Sequence, residues 1–260
     1  MSYFAKKRLR AVIAVAIAVV VFVAASYQLN LSWWTIIRDF PRAINAFTRN
    51  YLPIDFSQFG RVLATLSSTI LTALTGAIVG MFLAFFGALA VSVKTSRAKA
   101  VQVLVRFVAS VTRNIPEGIW GIILYLCFWY GDFIGFLVMA ILSFGFLTRV
   151  FSDTIDETGI SSIEALEACG ASYWQIIFLA VVPETLPALV SWALYAIENN
   201  IRSSTIVGML TGSGIGFLMY VYVGGGLMDA KLLMASIVTI TVVIVVVDQI
   251  SGQIRRVLNR

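Results

Sequence analysis

The residues best suited to chemistry in this chain form a short polar cluster, Glu198, Asn199, Asn200 and Arg202, followed by Thr205 and the glycines Gly214 and Gly216. A guanidinium beside two amides can hold or steer an anion, and glycines downstream let backbone N–H groups converge on one. A second polar run, residues 152–173, carries Asp153, Asp156, Glu157, Glu164 and Glu167. These carboxylates have no basic imidazole to work with, because the chain contains no histidine. Its two cysteines, Cys127 and Cys169, are far apart and lack metal-ligand spacing, so no metal site, disulfide or thiol chemistry is expected. No paired aspartates fall inside an apolar stretch and no G-x-x-x-x-G-K-[ST] pattern provides for nucleotide. Neither catalysis nor a cofactor is therefore expected.

The elements that must position the cluster are apolar. Hydrophobic residues make up 60% of the 260 and charged residues 12%, against roughly 25% charged in soluble domains; the mean hydropathy is +0.92. An all-α, polytopic membrane protein with about six spans follows. The spans are expected at 11–29, 62–93, 119–129, 133–151, 174–197 and 232–247. A cleaved signal peptide is the alternative for the first, since Ala24, Ala25 and Ser26 follow the apolar run, although that run exceeds the roughly 7–15 residues of such a segment. Residues 31–58 mix aromatics with Arg38, Asp39, Arg42 and Arg49 and suit a segment lying at the outer interface. Residues 1–60 thus form an N-terminal part and 61–260 the transmembrane core.

The net charge of +6 sits on basic residues flanking apolar runs, which points to membrane anchoring and not to nucleic acid. With both termini in the cytoplasm, thirteen Lys or Arg fall inside, among them Arg106, Arg113 and Arg255, and six outside, among them Arg202. Arg113, Asn114, Pro116 and Glu117 are placed at an inner boundary, as anchors or as a gate. Glu198 and Arg202, four residues apart, either pair with each other in a polar outer loop or contact a substrate.

Ser161 and Glu164 have the spacing of a capping box, and Gly170 follows where a helix can end in positive φ; a short cytoplasmic helix over about 161–171 is predicted. Glu164, Ala165, Gly170 and Pro183 then resemble the EAA motif of ABC importer permeases, EAA-x3-G-x9-I-x-L-P. Both the Glu-to-Gly and the Gly-to-Pro spacings match; Leu166, Ala180 and Val182 depart mildly from it. The resemblance implies that Glu164, Ala165, Glu167, Gly170, Ala171 and Pro183 couple the chain to a cytoplasmic ATPase. After Pro183, the stretch with Glu198, Asn200, Arg202, Thr205, Gly208 and Gly214 to Gly216 is similar to the phosphonate branch of these permeases.

That resemblance implies a methionine-importer-like permease fold in a bacterial inner membrane. It also implies two ATPase subunits, a second permease copy making a homodimer, an extracytoplasmic binding protein, and import of phosphonate, phosphite or a related oxyanion. A permease for another ligand, such as methionine or phosphate, is the alternative within the class. A secondary transporter or channel is the alternative outside it, although no self-similarity between the halves is visible.

Overall fold

Within a bilayer, backbone polar groups must be satisfied inside one segment, so long apolar runs fold as helices. The computed structural model describes residues 3–129, 131–157, 160–224 and 229–258, and no strand occurs among them. They form two compact units, Met1–Pro53 and Ile54–Arg260.

The first unit holds α1 (Tyr3–Gln28) and α2 (Trp33–Tyr51). Residues Ala11–Gln28 of α1 are long and apolar enough to cross a membrane. Ser32 opens α2 by accepting a hydrogen bond from the Thr35 N–H, satisfying one of the free donors at a helix start. Arg38 and Arg42 both pair with Asp39 on its polar side, and α2 buries no residue of its own.

The second unit contains α3 (Phe59–Val91), α4 (Lys99–Asn114), α5 (Glu117–Phe128), α6 (Asp132–Glu157), α7 (Ile160–Ala168), α8 (Tyr173–Ile176), a π-helical turn (Ile177–Val181), α9 (Val182–Thr211), α10 (Gly214–Val223) and α11 (Ala230–Leu258). Helices α3 and α6 run parallel at its centre, because small residues let their backbones touch. A Cβ on Gly80 would stand 2.6 Å from the Ala140 carbonyl oxygen. At the end near α7 the pair is closed by Asp156, which accepts from the Ser92 hydroxyl at 2.6 Å and the Val93 N–H at 2.9 Å. Helix α9 packs antiparallel on α6, with Leu189 clustering near Leu147 and Phe151, and Val207 near Ile134 and Val138.

Four helical runs in this unit are long and apolar enough to span: Phe59–Val91, Asp132–Glu157, Tyr173–Thr211 and Ala230–Leu258. The expected span at 119–129 corrects to something else, since α5 has 12 residues, about 18 Å, too short for a hydrocarbon core of about 30 Å. The rest of the passage is α4. Its Gln102 and Arg106 side chains reach the Val91 carbonyl near the α7 end, and it then climbs along α6, where Gly145 admits Thr112 and Ala109. Helix α5 completes the climb to the far end, with Gly121 beside Thr211. The passage is therefore a broken pair of half-helices, and Arg106 and Arg113 lie along it and not beyond its end.

The segment after residue 197 is likewise not a loop. Helix α9 continues to Thr211, turns at Gly212 and is followed by α10. At the other end, α6 runs to Glu157 and not 151, so the polar interruption shrinks to α7 and its short flanks. Tyr130, in the gap between the spans expected at 119–129 and 133–151, lies outside the described residues.

Candidate functional site

The break between α4 and α5 follows from Pro116, which has no N–H and cannot bond the Thr112 carbonyl four residues back. That orphaned carbonyl accepts instead from the Trp120 indole at 3.1 Å, and the Asn114 amide donates to the Ser110 carbonyl at 2.7 Å. A helix interrupted inside a membrane bundle stays stable only if such freed groups are satisfied again. Trp120→Phe is expected to keep the packing yet lower stability by about 1–3 kcal/mol, the cost of an unpartnered buried carbonyl. Thermal unfolding of the detergent-purified chain measures it, and an unchanged midpoint would remove the indole from this role.

The break puts charge at the ends of two helices: Arg113 in the last turn of α4 and Glu117 in the first turn of α5. Each sign matches the dipole of its own helix end. Both side chains line a cleft of about 200 Å³ with Ser143 and Phe146 of α6 and Tyr195, Asn199 and Asn200 of α9. Asn200 is 3% exposed and donates to the Ser143 hydroxyl at 2.8 Å, which sets its orientation. Ser203 Oγ stands 3.5 Å from Glu117 Oε1. Ser143 is near the middle of α6, a 26-residue apolar helix, so the cleft sits halfway along the bundle. The amphipathic helix α4 carries Arg113 to this level.

The Glu198–Arg202 cluster is divided between two faces of α9. Asn199 and Asn200 face the cleft, whereas Glu198 accepts from Arg202 at 3.1 Å and from Arg255 of α11 at 3.2 Å. The local ion pair considered from the sequence is present, with Arg255 as a further partner. Glu198 is thus not in an outer loop: it lies well inside α9, in contact with Arg255, which is expected on the inner side. Thr205, Gly214 and Gly216 are farther along. A Cβ on Gly216 would overlap the Thr205 carbonyl, and Gly214, at φ +58°, lies against Thr69. The Ile215 N–H is already taken by the Thr69 hydroxyl at 2.8 Å. These residues close a joint between α3, α9 and α10 and do not meet the cleft.

Helix α7 is held to the body by Ile163, buried, and Leu166, half-buried, in the cluster with Ile155, Ile176 and Ile177. Glu164, Ala165 and Glu167 are exposed. Gly170, at φ +76°, ends the helix: its N–H bonds the Glu167 carbonyl and the Ala171 N–H bonds the Leu166 carbonyl, the paired bonds of a Schellman cap. Ser172 and Gln175 then form a capping box that starts the next helix. The Ser161 side chain lies outside the described residues. Pro183 follows the π turn, where the Val182 N–H bonds Ile177, a shift in register that accommodates the missing donor.

Sequence reasoning singled out Asn199, Asn200 and, as anchors or a gate, Arg113 and Glu117; it missed Ser143, Tyr195 and Arg255. The 3.6-residue periodicity of 102, 106, 110 and 113 on α4 is the signal that marks an amphipathic, bundle-facing helix.

The profile of the family described as "Binding-protein-dependent transport system inner membrane component" matches residues 76–259. The phosphate-import permease protein PhnE of Mycolicibacterium smegmatis is 28% identical over 214 residues, 82% of this chain but 40% of that protein. The chain thus spans less than half of that relative. The phosphite transport system permease protein PtxC of Stutzerimonas stutzeri is 28% identical over 239 residues, 91% of this chain and 85% of its own. Among solved structures, an inward-facing MetNI methionine ABC transporter chain has a TM-score of 0.69 at 18% identity, covering 80% of this chain and 100% of that one; this likeness establishes the fold.

Proposed function

Because the chain belongs to the family of binding-protein-dependent transport system inner membrane components, we propose that it carries a small phosphorus oxyanion, a phosphonate, phosphite or phosphate, inward through the cleft at Arg113 and Asn200. The observation that carries this reading is Arg113 itself. It lies level with the middle of α6, and among the described residues no carboxylate comes within 4.0 Å of it. A charge at that depth costs about 2.5–3.5 kcal/mol on insertion scales, so it is kept where water or an anion meets it. Asn199, Tyr195 and Ser143 line the same cleft with neutral hydrogen-bonding groups, and Glu117 lines it too, without pairing with Arg113. The two relatives are named for phosphate import and phosphite transport, and a guanidinium suits such anions.

On this reading the α7 end faces the cytoplasm, as do both termini, and a binding protein delivers cargo at the far end. A second copy of the chain completes the pathway. Two ATPase subunits, each docked on the exposed Glu164, Ala165 and Glu167 of one α7, supply the energy and hydrolyse the ATP. The anchoring of α7 through Ile163 and Leu166 supports transmission of ATPase closure as a rigid-body movement.

ATP-dependent uptake of radiolabelled phosphite into proteoliposomes, with ATPase and binding protein present, tests the assignment. ATP-dependent uptake of a different ligand removes the oxyanion reading, and flux without ATP removes energy coupling. Gly170→Val tests α7 separately. Nothing lies within 4 Å of the added Cβ, but a β-branched residue is strained at positive φ, so the cap opens and α7 shifts. ATP hydrolysis is expected to persist while uptake falls at least about tenfold, equivalent to about 1.4 kcal/mol of lost coupling. Undiminished uptake would sink the coupling role.

A further inference from the structure

Arg106, Ser110 and Arg113 follow one another at intervals of four and three along α4, which sets them on one helix face. They line a narrow cavity with Thr148 and Arg149 of α6. Arg149 pairs with Asp153 at 2.8 Å. Among the described residues neither Arg106 nor Arg113 has a carboxylate within 4.0 Å, so the cavity is net cationic. A second observation is independent of charge: Thr148 is 0% exposed, and its hydroxyl has no hydrogen-bond partner among the described residues. Buried hydroxyls are nearly always partnered. Arg113 also lines the larger cleft, whereas Arg106 donates to the Val91 carbonyl at the α7 end of α3. The stripe therefore leads from the cleft toward that end.

We propose that this stripe is a second oxyanion site, on the exit side of the cleft, which takes the anion from Arg113 and releases it past Arg106 and Arg149. The proposal rests on the cargo reading above. As the side chains lie, the cavity has about 20 Å³, room for about one water. Arg106 and Arg149 are exposed, and their flexible stems swing outward to admit a tetrahedral anion between guanidinium donors. Several weak sites in series hold an ion well enough to enter and loosely enough to leave. The phosphate of an acidic lipid headgroup has the same chemistry and could meet Arg106 and Arg149. Arg113, level with the middle of α6, is too deep for it, which favours a free anion.

The test uses the permease–ATPase assembly in nanodiscs, without binding protein or ATP, and measures binding of radiolabelled inorganic phosphate. In phosphatidylcholine discs binding is expected to have two components. Arg106→Gln with Arg149→Gln, neither of which lines the larger cleft, should weaken one component at least about tenfold and leave the other. The corresponding Lys pair retains both charges and should restore it, which separates lost binding from lost folding. A single component in the unmodified protein, or two components in the Gln variant, overturns the site. Abolition of the arginine-dependent component by added phosphatidylglycerol assigns it to lipid and overturns the route. Phosphite uptake is measured in parallel: arginine-dependent binding without uptake sinks only the cargo reading, and uptake without such binding sinks only the second site.

Discussion

Gly216→Val is expected to prevent accumulation of folded protein, whereas Gly252→Ala is expected to be tolerated. At position 216 a Cβ would overlap the Thr205 carbonyl and stand 2.7 Å from the Met209 backbone nitrogen. Both obstacles are backbone atoms of α9, so no rotamer change relieves them. Inserting methyl groups into a well-packed interior costs about 1–3 kcal/mol and occasionally more; valine here adds two beyond the Cβ, and the contact fixes α10 against α9. Loss of this joint also releases the bond from the Ile215 N–H to Thr69 and the packing of Leu218 and Tyr222 on Val62 and Leu66. Gly252 has nothing within 4 Å of its added Cβ and lies inside α11, where alanine favours the helix by up to about 1 kcal/mol. Size-exclusion profiles and thermal midpoints of both variants decide it. A folded Gly216→Val protein with an unchanged midpoint would mean that α9 and α10 do not approach this closely.

Hydropathy revealed the helices whose whole circumference is apolar or small. Helices α3, α6 and α11 were legible for that reason, and so was the end of α7, because Gly170 is a local signal acting on its own backbone. The α4–α5 passage was not legible. Arg106 and Arg113 lower the average hydropathy of α4, and counting charges by run assigns them to a cytoplasmic flank. Helix faces carry the information instead: Ala109 and Thr112 of α4 are buried while Arg106 and Arg113, on either side of them in the chain, line cavities. The segment after residue 197 reads from sequence as an outer loop or a pathway lining, because glycine, serine and threonine are dense there, yet it is helical through Thr211. Inside a bundle those residues are contact surfaces that let backbones touch, as Gly208 and Gly216 do. The division of Glu198 from Asn199 and Asn200 was hidden for a different reason. Adjacent residues in a helix point about 100° apart, so a cluster in sequence need not be a cluster in space, and the second partner of Glu198, Arg255, is 57 residues away.

That distant partner makes Glu198→Gln the second large effect. The Glu198 side chain is 8% exposed and holds two guanidiniums, Arg202 at 3.1 Å and Arg255 at 3.2 Å, whose side chains are 52% and 29% exposed. The two contacts are unequal. Arg202 is on the same helix and half in solvent, so Arg202→Ala should cost less than about 1 kcal/mol. Arg255 joins α9 to α11 from a more sheltered position, and removing the only carboxylate that reaches it among the described residues strands a charge between helices. Breaking a buried pair from one side costs about 3–5 kcal/mol; the partial exposure of Arg255 puts Glu198→Gln near the lower bound, about 3 kcal/mol. Because the loss arises from the stranded guanidinium, removing it as well should recover most of the stability, so Glu198→Gln with Arg255→Gln is expected to melt close to the unmodified protein. A double-mutant cycle on thermal midpoints measures this coupling. Additive losses would show that Glu198 and Arg255 do not depend on each other. If the cycle closes with strong coupling while phosphite uptake by the double variant survives, Glu198 serves to hold α11 against α9, and anion handling falls to the opposite face of α9, where Asn199 and Asn200 meet Arg113.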